Sequence, residues 1–189
     1  MNPAMTGAER AVFAAFLRGA THYFEFGMGG STVLAAKLVR GSVTAIDSNP
    51  EWLARTAAAI DRTGPEIDLR HVDIGPVGDL GMPRDRSDPD RFTAYSAAIA
   101  PRRHRRVDLC LVDGRFRVAC ALQALVSLGP DAFVIVHDYW SRPHYHAIAA
   151  FARCVCACDD MAVFRRAPLS LHDRLLLRRR LRLYRRHPQ

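Results

Sequence analysis

Residues 25–32 read Glu25-Phe26-Gly27-Met28-Gly29-Gly30-Ser31-Thr32 and complete a short apolar run that begins at residue 21. The run predicts a strand over residues 21–26, and the glycines predict a tight loop. Ser31 is a suitable N-cap for a helix that continues to about residue 40. A dinucleotide fingerprint, G-x-G-x-x-G, would require glycine at the position of Thr32. The sequence therefore predicts a strand–loop–helix unit that binds a ligand without a pyrophosphate.

The same alternation of apolar strands and helices continues along the chain. The strands are almost wholly apolar, which is typical of parallel strands covered by helices on both faces. We predict an α/β fold with a doubly wound, mostly parallel, seven-stranded sheet and a C-terminal antiparallel hairpin. The other predicted strands span residues 42–46, 67–72, 107–112, 132–136, 155–157 and 162–165, and the other predicted helices span residues 8–18, 51–62, 116–128 and 145–153.

This alternation is interrupted between residues 74 and 105. Glycine, proline, aspartate and arginine are frequent there, and neither a helical nor a strand period is sustained. A long irregular segment in a compact domain is usually functional or disordered. We predict that residues 75–105 form a lid over a substrate pocket.

Acidic residues follow the predicted parallel strands. Asp47, Asp73, Asp113 and the pair His137-Asp138 stand where successive strands end. The carboxyl ends of parallel strands meet at one edge of the sheet, where ligands of open α/β folds bind. Carboxylates that converge there are costly unless a ligand, a metal ion or a cation neutralises them. Asp47 comes 20 positions after the first glycine of the loop, a spacing that suits hydrogen bonds from ribose hydroxyls.

The glycine loop and these acids resemble the class I S-adenosylmethionine (SAM)-dependent methyltransferases over roughly residues 10–166. Two further stretches, residues 73–81 and 112–118, resemble a smaller group of bacterial methyltransferase-like proteins of undefined substrate. The resemblance implies a sheet of six parallel strands and one antiparallel strand. We expect a SAM-binding domain over residues 1–166, followed by a tail over residues 167–189.

The resemblance also implies that SAM is the cofactor. The methionine end of SAM would lie against the glycine loop, the ribose against Asp47, and the adenine beside Asp73 and Ile74. Asp113 would face the amino group or the reacting methyl group. The implied cofactor-binding residues are Glu25, Gly27, Gly29, Ser31, Asp47, Asp73, Ile74 and Asp113.

Methyl transfer requires alignment of the acceptor and, where the acceptor carries a proton, a base or a metal ion to remove it. The candidate catalytic residues are Asp113, His137 and Asp138, and His137 is a candidate base because imidazole titrates near neutral pH. Metal-dependent O-methyltransferases of this family carry Asn after the acid that ends the fifth strand. Tyr139 stands there in this chain. Because tyrosine is a poor ligand for hard cations, we expect no metal.

Three arginines flank the same predicted edge. Arg115 and Arg142 are predicted to clamp an anionic substrate, because guanidinium groups bind carboxylate and phosphate in a bidentate manner. Arg117 is interpreted as a solvated surface arginine.

The C-terminal tail carries most of the charge. The formal net charge is +8, and residues 165–189 hold nine arginines and a single acid, Asp173. On a helix, Leu177, Leu181 and Tyr184 share one face. The tail therefore either lies on an anionic membrane surface, or packs on the domain or on a partner subunit of a homodimer, or is disordered. Aromatic residues are rare among the arginines, and we expect no nucleic-acid partner.

Five cysteines, an odd number, argue against a disulfide framework. Cys154, Cys156 and Cys158 alternate and would share one face of a strand, either as small apolar side chains or as ligands of a soft metal. No stretch approaches the ~20 apolar residues of a membrane-spanning helix, and the first ten residues do not resemble a secretory signal. We expect a cytoplasmic protein.

These observations predict a SAM-dependent methyltransferase, and the resemblance to the family implies oxygen of a small molecule or glycan as the acceptor. The alternative is a catalytically inactive module that keeps the SAM fold for binding, because the metal-site Asn and a clear base are missing. Thr32 disfavours a third hypothesis, an NAD-dependent oxidoreductase.

Overall fold

A computed structural model describes residues 1–61, 63–85, 87 and 89–187. The strands are β1 (His22–Phe26), β2 (Ser42–Asp47), β3 (Glu66–His71), β4 (Leu109–Val112), β5 (Phe133–Val136), β6 (Ala152–Cys158) and β7 (Met161–Arg166). The α-helices are α1 (Gly7–Gly19), α2 (Gly30–Leu38), α3 (Pro50–Ala59), α4 (Thr93–Ala97), α5 (Arg117–Ser127) and α6 (Leu171–Tyr184). Short 3-10 helices cover Asp79–Gly81, Arg102–Arg106 and Pro143–Ala150.

The seven strands form one sheet in the order β3-β2-β1-β4-β5-β7-β6. β7 pairs antiparallel with both of its neighbours, and the other pairings are parallel. Six strands therefore run in one direction, which confirms the predicted doubly wound sheet and its C-terminal hairpin. The strand order reverses between β1 and β4, where Phe26 lies opposite Val112. The loops that follow these two strands consequently leave the sheet side by side, at the position where ligands bind in this type of fold.

Helices cover both faces of the sheet. On one face, Phe24 and Phe26 pack with residues of α4, α5 and α6. On the other face, Tyr23 packs with Phe13 and Leu17 of α1. This alternation along β1 follows from the two-residue period of a strand. It directs Glu25 to the same side as Tyr23, beneath α1 and α2.

Three predicted features differ from the structure. A helix was expected over residues 145–153, but the 3-10 helix ends at Ala150 and Ala152 already pairs with Arg166 in the terminal hairpin. Pairing with β7 thus overrides the local helical pattern. The N-cap of α2 is Gly29 rather than Ser31, whose hydroxyl donates to Glu25 from inside the first turn. The helix predicted over residues 51–62 ends at Ala59, and Arg62 lies outside the described residues.

The three alternating cysteines do not share a face. A register shift between Cys154 and Cys156 interrupts the pairing of β6 with β7. Cys154 lies opposite Phe164, while Cys156 and Cys158 pack against the core on the other side of the sheet. The expectation of one common face is therefore wrong, because a β-bulge inserts one residue and reverses the alternation.

The segment predicted as a lid contributes to the core. Phe92, Tyr95 and Ile99, in and around α4, are at most 2% exposed and pack with the main apolar cluster. The 3-10 helix Asp79–Gly81 of the same segment lies beside the carboxyl end of β2. There, Ser48 Oγ donates to the carbonyl of Gly81 at 3.2 Å. Residues 86 and 88 of this segment lie outside the described residues.

The basic tail forms a helix that packs on the domain. Leu177 and Leu181 of α6 are buried in the main core, and Tyr184 packs against it. Ser170 and Asp173 form a capping box at the start of α6. Residues 188 and 189 of the predicted tail lie outside the described residues. In the part of the chain that is described, no helix is long and apolar enough to cross a membrane.

Candidate active site

A cleft of about 380 Å³ opens at the carboxyl ends of β1, β2, β4 and β5. Its volume lies within the range of small-molecule sites, about 300–1,000 Å³. Most of the residues proposed from the sequence line it, namely Gly27, Gly29, Ser31, Asp47, Asp113, Arg115, His137 and Asp138.

The glycine loop forms one wall of the cleft, and two of its glycines have different reasons to lack a side chain. Gly27 has a φ of 94°, and a Cβ there would stand 2.6 Å from the backbone nitrogen of Gly114. This glycine lets the loops after β1 and β4 touch. Gly29 has extended backbone, and a Cβ there would meet no atom within 4 Å. No protein contact requires glycine at this position, and the space beside it belongs to the cleft.

Asp47 is joined directly to the glycine loop. Its Oδ2 accepts the backbone N–H of Met28 at 2.9 Å, and its Oδ1 accepts the N–H of Asn49 at 2.8 Å. Burial raises the pKa of the Asp47 carboxyl, and these backbone hydrogen bonds oppose the rise. Each carboxylate oxygen can accept more than one hydrogen bond. The acid is thus held in place and retains acceptor capacity at the cleft that it lines.

Glu25 lies beneath the loop and not at the cleft surface. It is fully buried and accepts a hydrogen bond from Ser31 Oγ, which belongs to the first turn of α2. Burial raises the pKa of Glu25 to about 8, although hydrogen bonds from Ser31 and Thr32 lower it. The carboxyl group is therefore mostly protonated near neutral pH. Its effect on a ligand would be indirect, through the position of Ser31.

Asp73 and Ile74 stand apart from the cleft. Asp73 is exposed, pairs with Arg91 and accepts the N–H of Gly75 at 2.8 Å. Ile74 is 2% exposed and belongs to the main apolar core. Neither residue lines the cleft, whereas Trp52 and Leu80 do.

Two acids and two cations meet where β4 and β5 end. Arg117 donates to Asp138 Oδ2 at 3.0 Å, and its other terminal nitrogen lies 3.1 Å from Asp113 Oδ1. His137 Nδ1 lies 3.1 Å from Asp113 Oδ1 and 3.3 Å from Asp138 Oδ1. Arg117 also donates to the carbonyl of His137 at 2.7 Å. The chain's own cations therefore neutralise the converging carboxylates.

Arg117 is buried, so its interpretation as a solvated surface arginine is wrong. It is 4% exposed, and Nε donates to the carbonyl of Gly114 at 3.0 Å. A buried charge of this kind requires paired charges and hydrogen bonds. The spacing of four residues from Asp113 on the turn into α5 was the only indication of this role in the sequence.

Both ring nitrogens of His137 face carboxylates. Nε2 lies 3.5 Å from Oε2 of Glu9, which reaches the site from α1. Burial lowers the pKa of His137, but the hydrogen bond to Asp113 and the charges of Asp113, Asp138 and Glu9 outweigh it and raise the pKa to about 9. Near neutral pH the imidazole is protonated. A protonated imidazole cannot accept a proton, which argues against His137 as the base.

One group among the described residues has the geometry to hold a metal ion. Ligand atoms of Asp113, His137 and Asp138 lie within 4.8 Å of one another. The Arg117 guanidinium already bonds to both acids of this group. Tyr139, which stands where the metal-dependent enzymes carry Asn, is buried and packs on the ring of Phe164 with centroids 4.9 Å apart. The absence of a metal requirement stays a prediction.

The two arginines predicted to clamp a substrate have different surroundings. Arg115 lines the cleft, and its Nη1 contacts the sulfur of Met82 at 3.1 Å. Among the described residues it has no ion-pair partner within 4.0 Å, and its buried Nε has no hydrogen-bond partner. Arg142 instead donates to Asp138 Oδ2 at 3.0 Å and lies over the ring of Tyr145. Arg115 is thus the cation available to a ligand.

The sequence did not indicate that the N-terminal segment belongs to this site. Met1, Asn2 and Ala4 line the cleft beside the glycine loop. A Cβ on Gly30 would stand 2.0 Å from the carbonyl carbon of Asn2, so the segment passes directly over that glycine. The only role that the local sequence suggests for Glu9 is that of residue N3 in the capping box of α1. A capping motif does not indicate contact with a histidine far along the chain.

Comparisons with known proteins agree with this geometry. No family model and no curated protein matches the chain. A solved methyltransferase-like protein from Silicibacter pomeroyi DSS-3 is 30% identical, with a TM-score of 0.83 over 95% of this chain and 96% of its own. The chain belongs to the class I methyltransferase superfamily.

Two more distant members of the superfamily share the fold. N-methyltransferase NodS from Bradyrhizobium japonicum is 16% identical, with a TM-score of 0.51 over 85% of this chain and 96% of its own. A putative caffeoyl-CoA O-methyltransferase from Staphylococcus aureus is 10% identical, with a TM-score of 0.53 over 88% of this chain and 86% of its own. Both likenesses concern the fold of the chain.

The cleft of this class I chain fits the cofactor that the superfamily implies. A ligand can approach the backbone closely in the open space beside Gly29. Gly29 is the N-cap of α2, so the first backbone amides of that helix lie next to this space. Gly27, Gly29, Ser31, Asp47 and Asp113 would surround SAM, while Glu25 would act from beneath the loop.

Proposed function

We propose that this chain binds SAM and transfers its methyl group. The observation that carries the proposal is the hydrogen bond from Met28 N–H to Asp47 Oδ2. It joins the glycine loop to Asp47, the acid expected to bind the ribose, so that both form one wall of the cleft. The two elements were expected to act together, and neither alone would indicate this cofactor. Their contact supports the proposal, as does membership of the superfamily.

SAM, when bound, supplies an electrophilic methyl group on a sulfonium centre. Asp47 would accept hydrogen bonds from the ribose hydroxyls, and the glycine loop would leave room for the methionine portion. The N-terminal amides of α2 would meet the methionine carboxylate, since a helix N-terminus favours negative charge. The loops after β4 and β5 would position the acceptor, because Asp113 and Asp138 are held rigidly by Arg117.

Calorimetric titration with SAM and its demethylated product tests the cofactor. Gly29→Ala should weaken SAM binding because the added methyl group projects into the cleft. The matched control is Gly19→Ala, where a Cβ also meets nothing within 4 Å. Asp47→Asn should raise the Kd by about 10–100-fold, the worth of a charge-assisted hydrogen bond. Unchanged SAM affinity in both cleft variants would refute the proposed binding mode.

We further propose that the acceptor atom is oxygen, on an anionic small molecule or an acidic glycan. Arg115 is a half-buried cation at the cleft with no ion-pair partner within 4.0 Å among the described residues, and its charge lowers the pKa of Asp47. Burial lowers the pKa of Arg115, and the charge of Arg117 lowers it further. An anionic ligand would relieve both effects. A carboxylate oxygen needs no base, which suits a site whose acids are bound to Arg117 and His137.

Paired acceptors test this second proposal. Compounds with a carboxylate should be methylated faster than their neutral amide counterparts. Arg115→Gln should raise the KM for the anionic acceptor and leave the Kd for SAM nearly unchanged. Arg142→Gln is the control, because that arginine is occupied by Asp138. Equal turnover of both acceptor types, unaffected by Arg115→Gln, would overturn the assignment.

The alternative function is a module that binds SAM without transferring a methyl group. The observation that favours it is the internal neutralisation of Asp113 and Asp138, which leaves neither of these two acids free to act as a base. SAM binding without methyl transfer to either anionic or neutral acceptors would favour this alternative over catalysis.

A further inference from the structure

The outer side of α6 combines exposed leucines with unpaired arginines. Leu171, Leu175 and Leu183 are 81%, 68% and 56% exposed, which makes them three of the seven exposed large hydrophobic residues in the described part of the chain. Arg179 is also exposed and lies between them. Residues 171, 175, 179 and 183 recur every fourth position and form one stripe along the helix. We call this stripe, with the adjacent Arg178 and Arg182, the outer face of α6.

The orientation of this face is fixed by packing on the opposite side of the helix. Leu177 and Leu181 are buried against the domain. Arg185 donates to Gln123 of α5, and Arg186 pairs with Asp90 at 2.6 Å. Leu177 and Leu181, which the sequence predicted on one apolar face, are therefore packed against the domain. The exposed leucines form a second, separate apolar set.

The charge of this face is uncompensated. Arg178, Arg179 and Arg182 have no acidic partner within 4.0 Å among the described residues. Asp173 is the only acid in α6, and its carboxylate accepts the N–H and the hydroxyl of Ser170 in the helix cap. Nothing on the helix itself offsets the positive potential beside the exposed leucines.

A groove borders the first half of α6 and has the same chemical character. It encloses about 430 Å³ between the end of α5 and the start of α6. Leu125, Leu169 and Leu177 contribute apolar walls, and Arg174 and Arg178 stand at its edge. An apolar groove edged by arginines extends the outer face without adding an acid.

We propose that the outer face of α6 docks on an anionic phospholipid membrane. Leucine side chains would enter the boundary between headgroups and acyl chains, and arginines would extend to the phosphates, as basic amphipathic helices do at membrane surfaces. A nucleic acid would use the arginines but would leave the leucines exposed to water. A symmetric dimer through this face would place the same arginines of two copies against each other, which costs repulsion.

Sedimentation of the full chain with vesicles tests the proposal. Binding should occur on vesicles that contain phosphatidylserine, decrease at high salt and be absent on pure phosphatidylcholine. The triple change Arg178→Gln, Arg179→Gln and Arg182→Gln should lower the partition coefficient roughly 100-fold, since each basic residue near an anionic surface contributes about 1 kcal/mol. Deleting the helix is unsuitable because it would uncover Leu177 and Leu181.

Two further variants separate the contributions of charge and apolar contact. Changing Arg18, Arg40 and Arg105 to Gln removes the same charge from exposed positions elsewhere and should have a much smaller effect. Changing Leu171, Leu175 and Leu183 to Gln should reduce binding roughly tenfold or more, because their apolar area no longer leaves water.

Three outcomes would overturn the proposal. The first is no binding to anionic vesicles. The second is binding that the leucine variant retains in full while the chain also binds RNA or duplex DNA, which would indicate a purely electrostatic nucleic-acid surface. The third is a dimer in solution that dissociates both in the Arg178, Arg179 and Arg182 variant and in the leucine variant. Because SAM binding plays no part in these measurements, their result is independent of the proposed methyl transfer.

Discussion

Replacement of Arg117 by Met should destabilise the protein far more than any other loss of a single arginine at the cleft. The guanidinium is 4% exposed, pairs with Asp113 and Asp138, and donates to two backbone carbonyls. Methionine keeps the aliphatic volume but removes the buried guanidinium that bonds to both carboxylates, which then rely on His137 and, for Asp138, on the exposed Arg142. Removal of one partner from a buried ion pair costs about 3–5 kcal/mol.

Arg142→Met provides the matched control. Arg142 bonds to the same atom, Asp138 Oδ2, at the same distance of 3.0 Å, but its side chain is 40% exposed against 5% for Arg117. An exposed pair contributes at most about 1 kcal/mol. The two variants therefore share an acceptor oxygen and a distance, and they contrast an exposed arginine with a buried one that also bonds to Asp113 and two backbone carbonyls.

Urea denaturation monitored by circular dichroism measures the difference. The free energy of unfolding should fall by about 3–5 kcal/mol for Arg117→Met and by less than about 1 kcal/mol for Arg142→Met. In a domain of this size, the larger loss corresponds to a decrease in Tm of roughly 6–20 °C. Similar losses in the two variants would show that Arg117 is not the cation that neutralises the cluster.

Three more predictions concern the site. His137 has a folded-state pKa of about 9 against an ordinary value of 6.5; His137→Gln should therefore lose about 1–3 kcal/mol in urea titrations below pH 6.5, and the loss should shrink as the pH rises through 9. Glu25 has a folded-state pKa of about 8 against an ordinary value of 4.5. The free energy of unfolding of Glu25→Gln should therefore match that of the parent protein below pH 4.5 and exceed it increasingly as the pH rises towards 8. Over that range only the parent must bury a carboxylate or take up a proton when it folds. Gly27→Ala should lower the free energy of unfolding by about 1–3 kcal/mol or more, since φ is 94° and the new Cβ would meet Gly114 at 2.6 Å; normal stability in this variant would contradict the described loop contact.

The sequence was sufficient to predict the fold and the edge of the sheet at which most of the candidate site residues meet. Nearly all-apolar strands separated by helices require a covered parallel sheet, and right-handed crossovers bring the strand ends to one edge. The glycine loop, Asp47 and Asp113 consequently meet at the cleft, as their positions after successive strands predicted. These inferences succeed because they depend on periodicity and chain direction, which neighbouring residues specify.

Side-chain partners were decided by the tertiary structure. Arg115 and Arg117 lie two residues apart, yet one faces the cleft alone and the other is buried between Asp113 and Asp138. The bulge in β6 separated Cys154 from its neighbours, and Asp73 pairs with Arg91 outside the cleft. A charged side chain is stable either in water or when paired in the interior. Each of these outcomes therefore depends on burial and on residues distant in the chain. A linear pattern determines which face a residue occupies, whereas only the packed chain determines which opposite charge reaches it.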